Sequence, residues 1–293
     1  MNGQTFVKIA KRIFRITPFP VICGLGDGIG RLLFYLMKER TAIGLSNLKR
    51  AFPEKPEQER RRILKTFWRN FCKDMLEAIK YFATPSAIMS KRVTLVGQEH
   101  LDRLVAQKKG IVLLSAHLGN FPILCMKLGM EGYPIAVLYS EMHNRLFNPV
   151  IPLMMRSTGI EPISDRPRHA CVGKSMSWLK KGGLLFLQID QSPPTDAGLP
   201  VDFFGWETPT SRGPVSMAMR TDANILPVFI VREKNNHHRI IIDKPFPLKR
   251  EGDSNRDVLL NLAALSKITE DFIRQYPAHW WWFHRRFKKV INE

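Results

Sequence analysis

Apolar residues follow two different patterns along this chain. Over residues 56–82 they recur every four positions, which predicts a long helix with one apolar face. From Gly110 onward, short apolar runs typical of buried strands alternate with helical patterns. The runs predict strands at residues 111–116, 133–139, 184–189, 225–232 and 239–242, and helices at residues 121–129, 147–159, 170–181, 213–220 and 259–276. This alternation predicts an α/β fold with a mixed, largely parallel sheet flanked by helices.

The N-terminal segment, residues 13–37, is mostly apolar, but charged residues and prolines interrupt it. Its longest charge-free stretch, residues 16–26, is far shorter than the roughly 20 residues that a transmembrane helix needs. It is either an interfacial helix, with apolar groups facing lipid and basic groups meeting headgroups, or an ordinary buried helix flanked by basic residues. We favour a membrane-associating helical extension over residues 1–40, followed by an α/β domain over residues 41–293 whose first part, residues 41–95, is a helical preamble.

The charge of the chain indicates which class of partner it binds. Its 293 residues include 45 Lys and Arg against 26 Asp and Glu, a formal charge of +19, which favours a polyanionic partner. The basic residues lie beside apolar and aromatic segments, and the sequence carries no known nucleic-acid-binding signature, so an anionic membrane surface is favoured over nucleic acid. Four widely spaced cysteines indicate a reducing compartment and no structural zinc, and the histidines show no spacing typical of a metal site.

The first candidate site follows the predicted strand at residues 111–116. This strand delivers His117, Gly119 and Asn120 to the start of a helix, where Asn120 is a plausible N-cap. A partly exposed histidine in such a place is suited to act as a general base for a hydroxyl, and Gly119 leaves backbone amides accessible to an oxyanion. The alternative is a capping turn in which the histidine only forms a hydrogen bond.

The second candidate site follows the strand at residues 184–189. There Asp190 and Gln191 precede a loop rich in glycine and proline that leads through Thr210 to a helix start at Gly213. Such a helix start offers exposed amides to an anion. The alternative for Asp190 is that it only caps a turn.

Motifs along nearly the whole chain resemble the lipid A biosynthesis acyltransferases, the lauroyl/myristoyl late acyltransferases of the lysophospholipid acyltransferase superfamily. The similar residues are 25–31, Asn47, Leu48, 51–54, Glu77, 117–120, Asn148, Pro149, Arg156, Gly159, Asp190, Gln191, Gly198, Val201, 203–205, Thr210, Gly213, Pro214, Pro227 and 280–288. Each motif alone is weak, whereas the ordered set is specific.

The resemblance implies an enzyme that moves a fatty acyl chain from acyl carrier protein or acyl-CoA to a hydroxyl of a lipid, without a metal or bound cofactor. It implies a place at the cytoplasmic face of the bacterial inner membrane, peripheral or anchored by the N-terminus. The implied acceptor is a lipid A precursor or related glycolipid, with a lysophospholipid or an amino-acid lipid as alternatives. It also implies that His117 is catalytic and that Gln191, Thr210 and Gly213 bind substrate.

One position departs from the family. Its histidine belongs to an H-x-x-x-x-D/E motif, and Pro122 occupies the acid position here. Three alternatives follow. The acid is supplied from elsewhere in the fold, with Asp190 or Glu141 as candidates. Otherwise His117 works unassisted, or the chain is a catalytically silent lipid-binding relative. We favour the first, because His117, Asn120, Arg156 and Asp190 are all present.

The expected mechanism is direct acyl transfer. His117 removes the proton of the acceptor hydroxyl, the oxygen attacks the thioester carbonyl, and donors stabilise the resulting oxyanion. The candidate donors are the amides near Gly119 and Asn120 and the guanidinium of Arg156, which alternatively binds a phosphate of the acceptor or is an ordinary surface arginine. The tryptophans at residues 280–282 are either an interfacial anchor or packed on the sheet.

Overall fold

A seven-stranded sheet forms the centre of the protein in the computed structural model, which describes residues 3–84, 89, 91–140, 150–193 and 198–288. In chain order the strands are β1 (Val93–Val96), β2 (Ile111–Ser115), β3 (Ile135–Tyr139), β4 (Ile160–Ser164), β5 (Leu184–Gln188), β6 (Gly198–Phe203), β7 (Trp206–Ser211), β8 (Asn224–Arg232) and β9 (His238–Ile242). The spatial order of the main sheet is β1-β9-β8-β2-β5-β3-β4, and β6 and β7 form a separate hairpin. Only the β8–β9 pair in the main sheet is antiparallel. The predicted fold class is therefore confirmed.

Ten helices surround the sheets in the described part of the chain. They are α1 (Gly3–Ile16), α2 (Phe19–Leu36), α3 (Lys38–Ala51), α4 (Glu57–Ala83), α5 (Gln98–Ala106), α6 (Phe121–Met130), α7 (Val150–Arg156), α8 (Arg168–Lys180), α9 (Gly213–Thr221) and α10 (Ser254–Gln275). The long helix predicted over residues 56–82 corresponds to α4. The predicted division of the chain at residue 40 stays a prediction.

The central strands are apolar on both faces because helices cover both faces. All five residues of β2 are buried, and alternate side chains of a strand point to opposite sides. Leu113 packs in the same cluster as Ile123 of α6, whereas Leu114 packs with Leu262 of α10. The carboxyl ends of β2 and β5 therefore lie in a rigid frame.

Four elements were not predicted: β1, β4, α5 and the β6–β7 hairpin. Strand β4 contains Pro162, which is tolerated because β4 lies at the edge of the sheet. Residues 198–211 were predicted as a loop, and that prediction was wrong. Two prolines face each other in this hairpin (Pro200 opposite Pro209), and a two-stranded ribbon accepts them because its outer edges need no hydrogen-bond partners.

Helix α2 packs one face against α4 and exposes the other. Its packed face carries Gly26 and Gly30, and a Cβ atom at Gly30 would lie 2.5 Å from the Cα atom of Arg69. Its outer face exposes large apolar side chains at Val21, Leu25, Ile29, Leu32, Tyr35 and Leu36. By length and composition alone, α2 is the one helix among the described residues that could cross a membrane, although a third of it is buried within the protein.

The glycines of α2 provide a test of this packing. Gly30→Ala should lower the free energy of unfolding by about 1–3 kcal/mol, because the added methyl group overlaps the backbone of α4. Gly24→Ala is the matched control, since a Cβ atom there meets nothing within 4 Å, and it should stabilise the helix by about 0.5–1 kcal/mol. Chemical denaturation measures both variants. Equal effects at the two positions would contradict the packing described.

Candidate active site

His117 and Asp190 meet because β2 and β5 are adjacent and parallel. Ser115 pairs with Gln188 in the sheet register, so residues two positions further along each strand emerge side by side at the carboxyl edge. His117 Nδ1 lies 3.0 Å from Asp190 Oδ1, and the backbone N–H of His117 donates to Asp190 Oδ2 at 3.0 Å. The structure thus brings together two predicted site residues that are 73 positions apart in the chain.

The surroundings of Asp190 keep it ionised. Its side chain is fully buried, and the indole Nε1–H of Trp280 donates to Oδ2 at 2.7 Å. Burial alone would raise the pKa of this carboxyl, but the His117 charge and the hydrogen bonds from His117 and Trp280 hold the pKa below its ordinary value. The carboxylate therefore accepts the Nδ1–H of His117 and leaves Nε2 free to contact a substrate. Because 19% of the His117 side chain is exposed, a substrate can reach it.

The loop that carries His117 is held by the C-terminal segment. The N–H of Gly119 donates to the carbonyl of His279 at 2.9 Å, and the N–H of Trp281 donates to the carbonyl of His117 at 3.0 Å. Gly119 has a φ of +59°, and a Cβ atom there would lie 2.3 Å from the carbonyl oxygen of Ile230, so only glycine fits. The Gly119 amide, an expected oxyanion donor, is therefore already engaged.

Asn120 has a structural connection that the sequence did not indicate. It lies at the N-cap position of α6, but its side chain forms no capping hydrogen bond. Instead it is fully buried, and Nδ2 donates to the carbonyl of Asp74 in α4 at 2.9 Å. Asn120 therefore occupies the predicted N-cap position, but its side chain does not cap the helix and instead joins the loop of residues 117–120 to α4.

The structure separates Arg156, another predicted site residue, from His117. Arg156 is exposed beside Ile135 and Glu161, near the amino ends of β3 and β4 and thus at the opposite edge of the sheet. That position fits neither oxyanion stabilisation nor an acceptor phosphate held at the His117 edge, and agrees with an ordinary surface arginine. Glu141 lies outside the described residues.

Two residues of the second predicted site are engaged within the protein. Thr210 is fully buried, and its hydroxyl accepts a hydrogen bond from Arg286 Nη2 at 2.6 Å. Gly213 begins α9, where its N–H donates to Ser211 Oγ at 3.4 Å. The geometry therefore favours structural roles for Thr210 and Gly213, whereas Gln191 lines a groove beside His117.

An apolar pocket of about 270 Å³ opens on one side of His117. Helix α6 forms one wall, and Phe121 both lines the pocket and lies against His117, with 5.3 Å between the ring centroids. Pro122, at the position where the family motif has an acid, also lines this pocket. The remaining lining residues are almost all apolar: Ala78, Phe82, Cys125, Met126, Val137, Leu138, Tyr139, Ile151, Met154, Met155, Thr158 and Ile160.

A second, larger depression also lies beside His117 and is called the aromatic groove. It has a volume of about 620 Å³ and is lined by Leu33, Met37, Arg40, Trp68, Phe71, Gln191, Trp281, Phe283, His284 and Arg285. The ring of Trp281 lies 5.2 Å from that of His117 and 5.5 Å from that of Phe121, so the groove and the apolar pocket approach each other at these three rings. The histidine thus lies beside both an apolar pocket and a groove with aromatic and basic lining residues.

The tryptophan run packs into the protein. Trp280 and Trp282 are fully buried, and Trp281 lines the aromatic groove. This observation favours the packed alternative over a membrane anchor. The donor role of Trp280 to Asp190 was missed, and the only sequence signal for it was an aromatic residue with an indole N–H in a segment that resembles a family motif.

Comparison with known proteins decides the family. The profile of the bacterial lipid A biosynthesis acyltransferases matches residues 3–289. The chain belongs to this family. It is an O-acyltransferase, and the His117–Asp190 pair, beside the apolar pocket and the aromatic groove, is the candidate active site of this lipid A acyltransferase family member.

Individual relatives agree with that assignment. The lipid A biosynthesis lauroyltransferase of Escherichia coli is 27% identical over 92% of this chain and 86% of its own length. The palmitoleoyltransferase of the same organism is 25% identical with the same coverage. Among solved structures, the 1-acyl-sn-glycerophosphate acyltransferase of Thermotoga maritima aligns over 88% of this acyltransferase and 99% of that chain, at 13% identity and a TM-score of 0.43. That similarity is too remote to carry an inference about the site.

Proposed function

We propose that this acyltransferase transfers a fatty acyl chain from a thioester, carried by acyl carrier protein or coenzyme A, to a hydroxyl of a lipid A precursor. The observation that carries the proposal is the His117–Asp190 pair, which lies beside both the apolar pocket and the aromatic groove. The names of the relatives support the acceptor, since they act in lipid A biosynthesis.

The reaction follows from the two ring nitrogens of His117. Nε2 accepts the proton of the acceptor hydroxyl while its oxygen attacks the thioester carbonyl. The C–S bond then breaks, and the imidazolium returns the proton to the departing thiolate. Asp190 accepts the Nδ1–H bond throughout, which orients the ring and stabilises its charged form. Geometry supports Asp190 as the acid in place of Pro122, and this removes the reason to favour a catalytically silent protein.

Of the amides expected near Gly119 and Asn120, that of Gly119 is unavailable to the oxyanion because it donates to the carbonyl of His279. The first turn of α6 begins four residues after His117, and the N–H of Phe121 has no acceptor among the described residues. A helix N-terminus carries partial positive charge and unpaired amides. We therefore assign oxyanion stabilisation to the amino end of α6.

The two depressions suit two substrates. The apolar pocket takes the acyl chain of the donor, because its lining would desolvate methylene groups and Phe121 places its mouth beside His117. The aromatic groove takes the acceptor lipid, since Arg40 and Arg285 at its rim suit an acidic headgroup and the aromatic floor suits hydrocarbon.

The N-terminal helices support a position of this groove at a membrane surface. The exposed apolar face of α2 continues onto α1, where Ile9, Ile13 and Ile16 are also exposed. Leu33 and Met37, at the end of α2, line the groove itself, so the acceptor can enter from the lipid surface. The opposite face of α2 is packed on α4, which favours a helix that lies in the interface over one that crosses it. The cytoplasmic face of the bacterial inner membrane is the proposed location.

Loss of the general base tests the reaction directly. His117→Ala should lower acyl transfer at least about 1,000-fold, since both proton transfers pass through the imidazole. Purified protein is incubated with labelled acyl carrier protein thioester and a lipid A precursor, with His169→Ala, a histidine in α8, as control. Transfer by the His117 variant at the wild-type rate would contradict the mechanism, and no transfer by folded wild-type protein would contradict the proposed function.

The apolar pocket predicts how acyl preference can be changed. Ala78 is half-buried in α4 and lines the pocket, so Ala78→Leu should exclude part of a long chain and move the preference towards shorter donors. Each methylene left unburied costs about 0.8 kcal/mol, so kcat/KM for the longest accepted donor should fall at least about tenfold. The matched control is Ala170→Leu, at a half-buried alanine of α8 outside the pocket. An unchanged chain-length profile in Ala78→Leu would contradict this use of the pocket.

The exposed face of α2 predicts the mode of membrane binding. Leu25→Glu combined with Ile29→Glu should weaken binding to vesicles of anionic phospholipid at least about tenfold, because two apolar side chains that would enter the lipid become charged. Leu259→Glu is the control, since Leu259 is an exposed apolar residue of α10. Sedimentation with vesicles measures the effect, and equal binding by the two proteins would contradict the assignment.

A further inference from the structure

A cluster of buried charges lies beneath residues 117–120, which are called the catalytic loop because they carry the proposed general base His117. Asp74 and Glu77 come from α4, Arg232 ends β8, and His238 begins β9. Arg232 donates to Glu77 through Nη1 at 2.7 Å and Nη2 at 2.8 Å, and Nη2 also donates to Asp74. His238 Nε2 lies 2.8 Å from Glu77 Oε2. The side chains of all four residues are at most 6% exposed, so the cluster is shielded from water.

The cluster has the ligand types of a metal site but is filled by an arginine. Ligand atoms of Asp74, Glu77 and His238 lie within 4.8 Å of one another. The guanidinium of Arg232 bridges both carboxylates and so supplies the positive charge that a cation would bring. A metal is therefore not the explanation for this group.

The cluster reaches the catalytic loop at two points. The backbone N–H of Arg232 donates to His279 Nε2 at 3.1 Å, and the carbonyl of His279 accepts the N–H of Gly119. On the other side, the carbonyl of Asp74 accepts the side-chain amide of Asn120. Both connections lie within three residues of the imidazole of His117.

His279 is neutral where it joins the cluster to the loop. Burial and the nearby charge of Arg232 lower its pKa to about 4, so at neutral pH Nε2 carries a lone pair that accepts the Arg232 N–H. The same residue thus accepts the N–H of Arg232 with its ring and the N–H of Gly119 with its backbone carbonyl.

We propose that this buried charge cluster positions the catalytic loop, with His279 as the positioning residue that connects Arg232 to Gly119. The inference rests on the proposed function, since it concerns the placement of His117 for acyl transfer. Buried ion pairs stabilise a fold little better than well-packed apolar residues, but they fix directions that apolar contacts leave loose. Acyl transfer needs such fixed directions, because a displacement of about 1 Å at the reacting atoms costs roughly 100-fold in rate.

Two substitutions of His279 separate positioning from mere packing. His279→Phe keeps a ring of similar size but removes the acceptor, so kcat should fall at least about tenfold while KM for the thioester changes less than threefold. His279→Gln offers a carbonyl oxygen to the Arg232 N–H and should restore most of the lost kcat. Glu270→Gln is the control, because Glu270 is also buried and accepts a backbone N–H and two basic side chains, but none of these partners belongs to the loop or to the charge cluster.

A second measurement does not depend on activity. Hydrogen exchange of the Gly119 amide should be at least about fivefold faster in His279→Phe than in wild-type protein and unchanged in Glu270→Gln. If His279→Phe does not fold, Asn236→Gly takes its place, since it removes one acceptor of Arg232 at a position with a φ of +56° that glycine adopts easily.

The outcomes are distinct. Faster Gly119 exchange in the His279 or Asn236 variant, with lower kcat, supports the proposal. Unchanged exchange and unchanged kcat in a folded variant overturn it, and so do equal losses in His279→Phe and His279→Gln. If wild-type protein transfers no acyl group, the proposed function fails, and the exchange measurement alone then decides whether the cluster holds the loop.

Discussion

The hydrogen bond between His117 and Asp190 is the interaction on which the proposed chemistry of this protein depends. It exists because two parallel strands lie side by side in register, so that two residues far apart in the chain leave the sheet together. Burial would make an isolated carboxylate unstable there, but His117 and Trp280 satisfy both of its oxygens. A local motif acid is unnecessary in this arrangement, and Pro122 is free to line the apolar pocket instead.

The rest of the structure places two depressions beside this pair. Phe121 and Trp281 both contact the imidazole and each other, and they line the apolar pocket and the aromatic groove respectively. The groove reaches the end of α2, whose outer face is apolar and exposed, so the proposed lipid access and the proposed membrane contact involve the same element. The excess positive charge at the groove rim and on α1 suits both anionic lipid and an acidic headgroup.

The central strands and the polar residues at their carboxyl ends could be predicted from the sequence, because both depend on local patterns. Continuous apolar runs mark β2 and β5, and polar residues directly after them indicate the site. The sequence did not predict the hairpin of residues 198–211, whose prolines oppose strand formation locally. The family resemblance also placed Arg156 in the predicted site. That placement failed because a resemblance does not show at which edge of the sheet a helix ends. The contacts of Trp280, Asn120 and His279 depend on tertiary packing, for which single-sequence patterns carry no signal.

A double-mutant cycle tests the central claim, that His117 and Asp190 act as one unit. The values of kcat/KM for acyl transfer are compared among wild-type protein, His117→Ala, Asp190→Asn and the double variant. If the two residues act as one unit, Asp190→Asn alone should lower kcat/KM at least about 100-fold, and the double variant should be no slower than His117→Ala. A near-wild-type rate in Asp190→Asn, or losses that multiply in the double variant, would contradict that claim.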